Sequence, residues 1–243
     1  MENIIYVGDL HGSLNALVKI DEWCVKNGIT DVVQVGDFGF RWPGQPCKLY
    51  KYFEKRVRQG RPGPKWYTCG GNHENWQLWD RLAAEQNNPD HVDIGAGVLY
   101  VQRGATAMIA GKKHLFCGGA ESTDVGHRRE GVSWWPQETP SAAEFRRFGI
   151  ALNDEQPDVV VTHDAPLDVE LYRDGPTGRI DRAKQPTPRN LTAALDLSDH
   201  KPAQWYYGHH HQLRIDKPGE TQFFGCGLHG EYMWDSKAYN VQV

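Results

Sequence analysis

No apolar run in this chain approaches the length that crosses a bilayer, so a membrane-spanning helix is not expected. No Cys-x-x-Cys pair occurs, and the five cysteines, at 24, 47, 69, 117 and 226, are odd in number and irregularly spaced. That argues against a disulfide framework and for reduced thiols in a cytoplasmic protein. Cys69, Cys117 and Cys226 each close an apolar run and are expected to pack as small hydrophobes. An excess of positive charge is also missing. The formal charge is -4, so affinity for nucleic acid backbone is not favoured beyond local basic patches. Neither an internal repeat nor a low-complexity tract is present, and Met1-Glu2-Asn3 leads straight into an apolar run, so no signal peptide is expected. What remains is 243 residues, 39% hydrophobic and 24% charged, which suits one α/β domain whose core stands without staples.

The chemistry-bearing residues follow short apolar runs. Ile4-Ile5-Tyr6-Val7 has the length and apolarity of a strand buried on both faces, and it ends at Gly8-Asp9-Leu10-His11-Gly12. Ser13 is a good N-cap for the helix that follows. Asp9 and His11, two apart, share a face if the backbone stays extended, and a carboxylate beside an imidazole suits a divalent metal. Asp31-Val32-Val33-Gln34-Val35 is a second strand, ending at Gly36-Asp37. Lys65-Trp66-Tyr67-Thr68-Cys69 is a third, running into Gly70-Gly71-Asn72-His73-Glu74-Asn75 and then into a helical pattern from Trp76. The glycines permit the sharp turn, Asn72 offers a neutral oxygen and His73 a proton near neutral pH. Lys48 to Gln59 is predicted helical, so strand and helix alternate from residue 3 to residue 86. That pattern implies a sheet with a parallel half and active groups at the carboxyl ends of its strands.

The rest of the chain reads differently. Residues 97–101, 105–110 and 113–118 look like short strands, with a hairpin turn at Gly111-Lys112, which suggests antiparallel pairing and the opening of a second sheet. Two long polar stretches, near 120–150 and 168–190, are expected to be lid-like loops. Within the first, a capping box marks a helix from Ser141. Val159-Val160-Val161-Thr162 delivers His163 at a strand's end. Gln204-Trp205-Tyr206-Tyr207-Gly208 runs into His209-His210-His211, where strand spacing places His209 and His211 on one face. Residues 213–215, 221–224 and 239–243 are expected to finish the second sheet.

Taken singly, each piece is equally a turn with a surface histidine or a capping aspartate. The ordered set Asp9-x-His11, Gly36-Asp37, Gly71-Asn72-His73-Glu74, His163 and Gly208-His209-x-His211 is far more specific, and it resembles the calcineurin-like metallophosphoesterase family from residue 4 to residue 211. The resemblance implies a four-layer α-β-β-α sandwich of two mixed sheets in a single domain, 1–243, with a dinuclear metal site at strand ends. It implies that Asp9, His11, Asp37 and His211 hold one metal, and that Asp37, Asn72, His163 and His209 hold the other, with Asp37 bridging. Two cations about 3.5–4 Å apart clamp a phosphoryl oxygen and turn a bridging water into hydroxide for in-line attack. The donor set suits Mn²⁺ foremost, with Fe²⁺, Zn²⁺ or Co²⁺ as alternatives. His73 is then placed to protonate the leaving oxygen.

The motifs are most similar to the serine/threonine phosphatase and dinucleotide tetraphosphatase branch, with one departure. Where that branch reads Gly-Asp-x-x-Asp-Arg-Gly, this chain reads Gly36-Asp37-Phe38-Gly39-Phe40-Arg41-Trp42. Arg41 stands in the place of the phosphate-binding arginine, but Phe40 replaces the aspartate that orients the catalytic histidine. The reading from sequence is a phosphomonoesterase acting on a phosphoprotein, nucleotide or small molecule, with Arg41, Arg128 and Arg129 as substrate-binding residues. The alternatives are a nucleotide phosphodiesterase or nuclease, in which Arg179, Arg182, Trp134 and Trp135 would join Arg128 and Arg129, and a catalytically silent scaffold.

Overall fold

The computed structural model describes residues 3–42, 47–88, 90–169, 171, 181–229 and 231–240. Strand β1 (Ile4–Val7) alternates its faces: Ile5 and Val7 join one buried cluster, while Ile4 and Tyr6 join another. The first cluster is roofed by helices α1 (Leu14–Asn27), α2 (Lys48–Arg58) and α3 (Trp76–Gln86), through Leu17, Ile20, Phe53 and Trp79. Their sheet contains β1, β2 (Asp31–Gln34), β3 (Lys65–Thr68), β4 (His91–Gly95) and β5 (Val98–Val101). The second cluster fills the space between this sheet and another one.

That other sheet contains β6 (Thr106–Ile109), β7 (Lys112–Cys117), β8 (Val159–Thr162), β9 (Gln204–Tyr207), β10 (Arg214–Asp216) and β11 (Gln222–Gly225). A third cluster joins its outer face, through Leu115, Val160 and Trp205, to α4 (Ala142–Asp154) and α5 (Pro186–Leu197). The order is therefore helix, sheet, sheet, helix, the expected sandwich. Both sheets are mixed: β1, β2, β3 and β5 run parallel in one, and β7, β8, β9 and β11 in the other.

The chain departs from the sequence reading at three places. Val98–Val101 pairs parallel with β3, so it belongs to the first sheet, and the crossing to the second comes at β6. The C-terminal segment does not finish the second sheet. It forms a hairpin of β12 (Glu231–Trp234) and β13 (Lys237–Asn240), and β12 pairs antiparallel with β1 through Tyr6 and Met233. Residues 241–243 lie outside the described residues. Finally, the 168–190 stretch gives way to α5 at Pro186, a first-turn position where proline's missing N–H costs nothing. The N-caps at Ser13 and Ser141 form as expected, the latter with both halves of its capping box. No helix is long and apolar enough to cross a membrane among the described residues.

One polar pair is buried between the sheets. The Nδ1 of His114 lies 3.0 Å from the Lys112 carbonyl and must donate to it, so Nε2 accepts from the Tyr6 hydroxyl at 2.8 Å. Burial pushes His114 down to about 4, the Lys112 carbonyl pulling partly back. The unfolded chain takes up this proton near the ordinary 6.5 and the folded chain only near 4, so acid favours unfolding across that window. Stability is present above pH 6.5 and lost as pH falls toward 4, by about 3 kcal/mol at most. We expect His114→Gln to flatten this acid limb, as measured by urea denaturation at stepped pH.

Candidate metal centre

Five strands of the two sheets deliver the candidate ligands at their carboxyl ends. Asp9 and His11 follow β1, Asp37 follows β2, Asn72 and His73 follow β3, His163 follows β8, and His209 and His211 follow β9. Backbone hydrogen bonds fasten these loops together. His11 N–H donates to the Asp37 carbonyl at 2.8 Å, Gly208 N–H to the His163 carbonyl at 2.9 Å, and His229 N–H to the Asp9 carbonyl at 3.0 Å. Gly71 has no room for a side chain: a Cβ there would run into Asp37 Oδ1 and lie 2.8 Å from His163 Nε2.

The structure brings all seven predicted ligands together. Donor atoms of Asp9, His11 and His211 lie within 4.8 Å of one another, as do those of Asp37, His163 and His209, and those of His11, Asp37 and His73. His11 Nε2 is 3.1 Å from His211 Nε2 and 3.7 Å from Asp37 Oδ2. Asn72 Oδ1 is 3.0 Å from His163 Nε2, which is itself 3.3 Å from Asp37 Oδ1. The means differ from the expected strand alternation. His11, Asp37, His209 and His211 all have positive φ, between 44° and 62°, so left-handed turns rather than extended backbone aim these side chains inward. His210 points away as expected, its Nε2 2.7 Å from Asp164 Oδ1.

The electrostatics suit a cation. Asp9 and Asp37 are both buried. Burial alone would lower His163, yet the carboxylates of Asp37 and Asp9 lift it to about 10, so these buried carboxylates favour positive charge between them. Burial opposes ionisation of Asp37 too, but His163 holds it far below the usual carboxylate range. Asp9 is raised by burial, with its hydrogen bond to His211 pulling the other way. His11 is pushed to about 4, mainly by burial. The Nδ1 of His163 donates to the Val35 carbonyl at 2.9 Å, which leaves Nε2 turned into the cluster. A donor set of carboxylates, imidazoles and an amide oxygen around two buried carboxylates fits divalent cations.

The substrate-side residues separate. Arg128 reaches the site: its guanidinium lies 2.8 Å from His73 Nε2 and 2.8 Å from Asp124. Arg41 is engaged elsewhere: its guanidinium donates to the Ile94 carbonyl at 3.1 Å and lies over the Tyr50 ring. Arg129 is exposed and meets Ser133 only through its backbone. Arg182 is taken up by the carbonyls of Val169, Ala165 and Pro166 and by Asp164. Arg179 lies outside the described residues. Trp135 is buried against the first core cluster, beside Trp42, and so presents no free stacking face. Phe40 is fully buried against Phe38 and Phe53. His73 is steadied instead by its N–H to Asp37 Oδ1 at 2.7 Å and by Arg128.

Sequence reasoning missed His229, whose ring centroid lies 6.2 Å from that of His11, and Ser122, which touches Asn72. Neither carries a spacing signal. Glu74, beside His73 in the third motif, is buried and accepts from Phe38 N–H at 2.7 Å, holding the turn after Asp37.

Two mixed sheets with helices outside, and His/Asp groups gathered at strand ends, define an α/β protein built to hold metal. A family model of the calcineurin-like phosphoesterases matches residues 3–213, and the chain belongs to that family. It is therefore an enzyme of metal-dependent phosphoester hydrolysis. The fold is similar to that of TT1561 of Thermus thermophilus, with a TM-score of 0.57 and 17% identity over 98% of each chain. A second solved structure has a TM-score of 0.58 and 14% identity, over 96% of this chain and 94% of the other. A comparison with curated protein sequences returns no match.

Proposed function

We propose that the chain is a dinuclear phosphomonoesterase, a single domain in which Asp9, His11, Asp37 and His211 hold one cation and Asp37, Asn72, His163 and His209 the other. Mn²⁺ is the proposed metal, and the free thiols support a reducing, cytoplasmic setting. The chemistry that two divalent cations supply in such a site is polarisation of phosphoryl oxygens and activation of water near neutral pH.

The observation that carries the monoester reading is Arg128. Its Nε is held by Asp124 and its Nη2 rests on His73, while its Nη1 is buried with no hydrogen-bond partner. A guanidinium nitrogen left buried and unpaired beside a metal centre is matched by an anionic oxygen, and a monoester offers more of these than a diester does. Because arginine only donates, His73 Nε2 must accept from it, so the imidazole is neutral in this arrangement. Burial holds His73 below its ordinary value, the Asp37 carboxylate pulling up and Arg128 pulling down again. A phosphate that draws Arg128 onto its own oxygens frees Nε2 to take up a proton from solvent, and His73 then gives that proton to the leaving oxygen. The segment near 120–150 is thus the substrate-side lid. Arg128→Ala is expected to lower kcat/KM on an aryl phosphate about 10²- to 10³-fold, as the loss of a preorganised donor does, and to affect a bis-aryl phosphate much less. Equal losses on both esters would remove the argument for monoesters.

A second reading, a nucleotide diesterase, rests on a cavity of about 200 Å³ beside the centre, lined by His11, Gly12, Gly39, Trp42, Cys47, Lys48 and Leu49. Trp42 offers a stacking face there and Lys48 a positive charge. Faster turnover of the bis-aryl ester by the unaltered enzyme would favour it.

A further inference from the structure

An asparagine can hold a cation only by its amide oxygen, and the two ends of the amide are alike in shape. Something must therefore decide which end of Asn72 faces the metal centre. In this chain Oδ1 faces His163, and Nδ2 lies 3.0 Å from the hydroxyl oxygen of Ser122. That hydroxyl can accept from Nδ2 only if its own proton is committed elsewhere. It is: Ser122 Oγ donates to Glu138 Oε2 at 2.9 Å, and Ser122 N–H donates to Glu138 Oε1 at 2.7 Å. A carboxylate has no proton to return, so the direction of each bond follows from the one before it. Glu138 is buried, and Arg103 fixes its backbone through the carbonyls of Gln137, at 2.7 Å, and Glu138, at 3.3 Å.

We infer that Glu138 and Ser122 are positioning residues that set the polarity of the Asn72 amide and so complete one of the two metal sites. The inference rests on the proposed role of Asn72 as a ligand. It gives the segment after β7 a second duty: besides carrying Arg128 toward substrate, it aims a ligand supplied by the other sheet.

The test is calorimetric titration of the metal-free protein with Mn²⁺, in the unaltered chain and in four variants. Glu138→Gln keeps the size of the side chain but places an NH₂ against Ser122. That group either opposes the Ser122 N–H or donates to Oγ, which turns the hydroxyl proton toward Asn72 and favours the flipped amide. One of the two sites should weaken about 10- to 100-fold, the scale on which outer-shell partners act, while the other holds its affinity. Ser122→Ala should do the same, and Ser122→Thr, which keeps the hydroxyl, should bind as the unaltered chain does. A merely structural role would lower the melting temperature of the metal-free protein without this selective loss. Should Glu138→Gln not fold, the alanine and threonine variants at 122 decide the matter.

Asn72→Ala separates the two claims. If it leaves both sites intact, Asn72 is no ligand and the underlying reading fails. If it costs one site while Glu138→Gln and Ser122→Ala cost none, the positioning inference is overturned.

Discussion

Asp37→Asn should abolish hydrolysis of an aryl phosphate, by about 10³-fold or more, while leaving the fold in place. The backbone reason for survival is specific. Asp37 has φ 53°, and asparagine is among the few residues that tolerate this left-handed conformation. Its amide oxygen can still accept from His73 N–H, as Asp37 Oδ1 does at 2.7 Å. What vanishes is the charge that His11, His73 and His163 all face. Two of the three ligand groups among the described residues contain Asp37, and both proposed sites share it, so its neutralisation weakens them together. Turnover assays, metal analysis and circular dichroism on the same preparation check this. Full activity in a folded Asp37→Asn protein would refute the bridging role.

Removing metal should cost the protein much of its thermal stability. A cation bound at a thousand times its dissociation constant stabilises by about 4 kcal/mol per site. For a chain of this size each kcal/mol moves the melting temperature by about 2–4 °C. We expect millimolar Mn²⁺ to raise the melting temperature by about 10 °C or more, and a chelator to reverse it. The effect should shrink in acid, with the sign set by competition: His163, raised to about 10, must surrender its proton before its Nε2 can coordinate. Differential scanning calorimetry with and without chelator at two pH values tests both points. A melting temperature indifferent to metal would mean that the histidines and backbone N–H groups around Asp9 and Asp37 satisfy these carboxylates without a cation.

Much of this centre was legible because its ligands stand where apolar runs stop. Val7 and Val161 end apolar runs, and Asp9 and His163 follow within two residues. The order of such stops survives even where local geometry is misjudged: His209 and His211 converge by left-handed turns and not by strand alternation, yet they converge. Arg41 shows the limit. It stands at the family's position, but Tyr50 and the Ile94 carbonyl claim its guanidinium, and neither contact can be read from spacing. Ser122 and Glu138 lie in a segment without periodicity, so their meeting with Asn72 depends wholly on tertiary placement. The sheet that the C-terminal hairpin joins is illegible in the sequence for a similar reason, since a short strand carries no mark of its partner.

Asp9, His11, Asp37 and Asn72 come from one sheet, and His163, His209 and His211 from the other. Any cation held between them is therefore a rivet through the seam. It ties residue 9 to residue 211 and residue 37 to residue 163, closing loops most of a domain in length without a covalent bond. While the rivets are in, the sheets cannot part, and the loaded protein should unfold in one step. Without them, the packing between the sheets has to hold the seam alone.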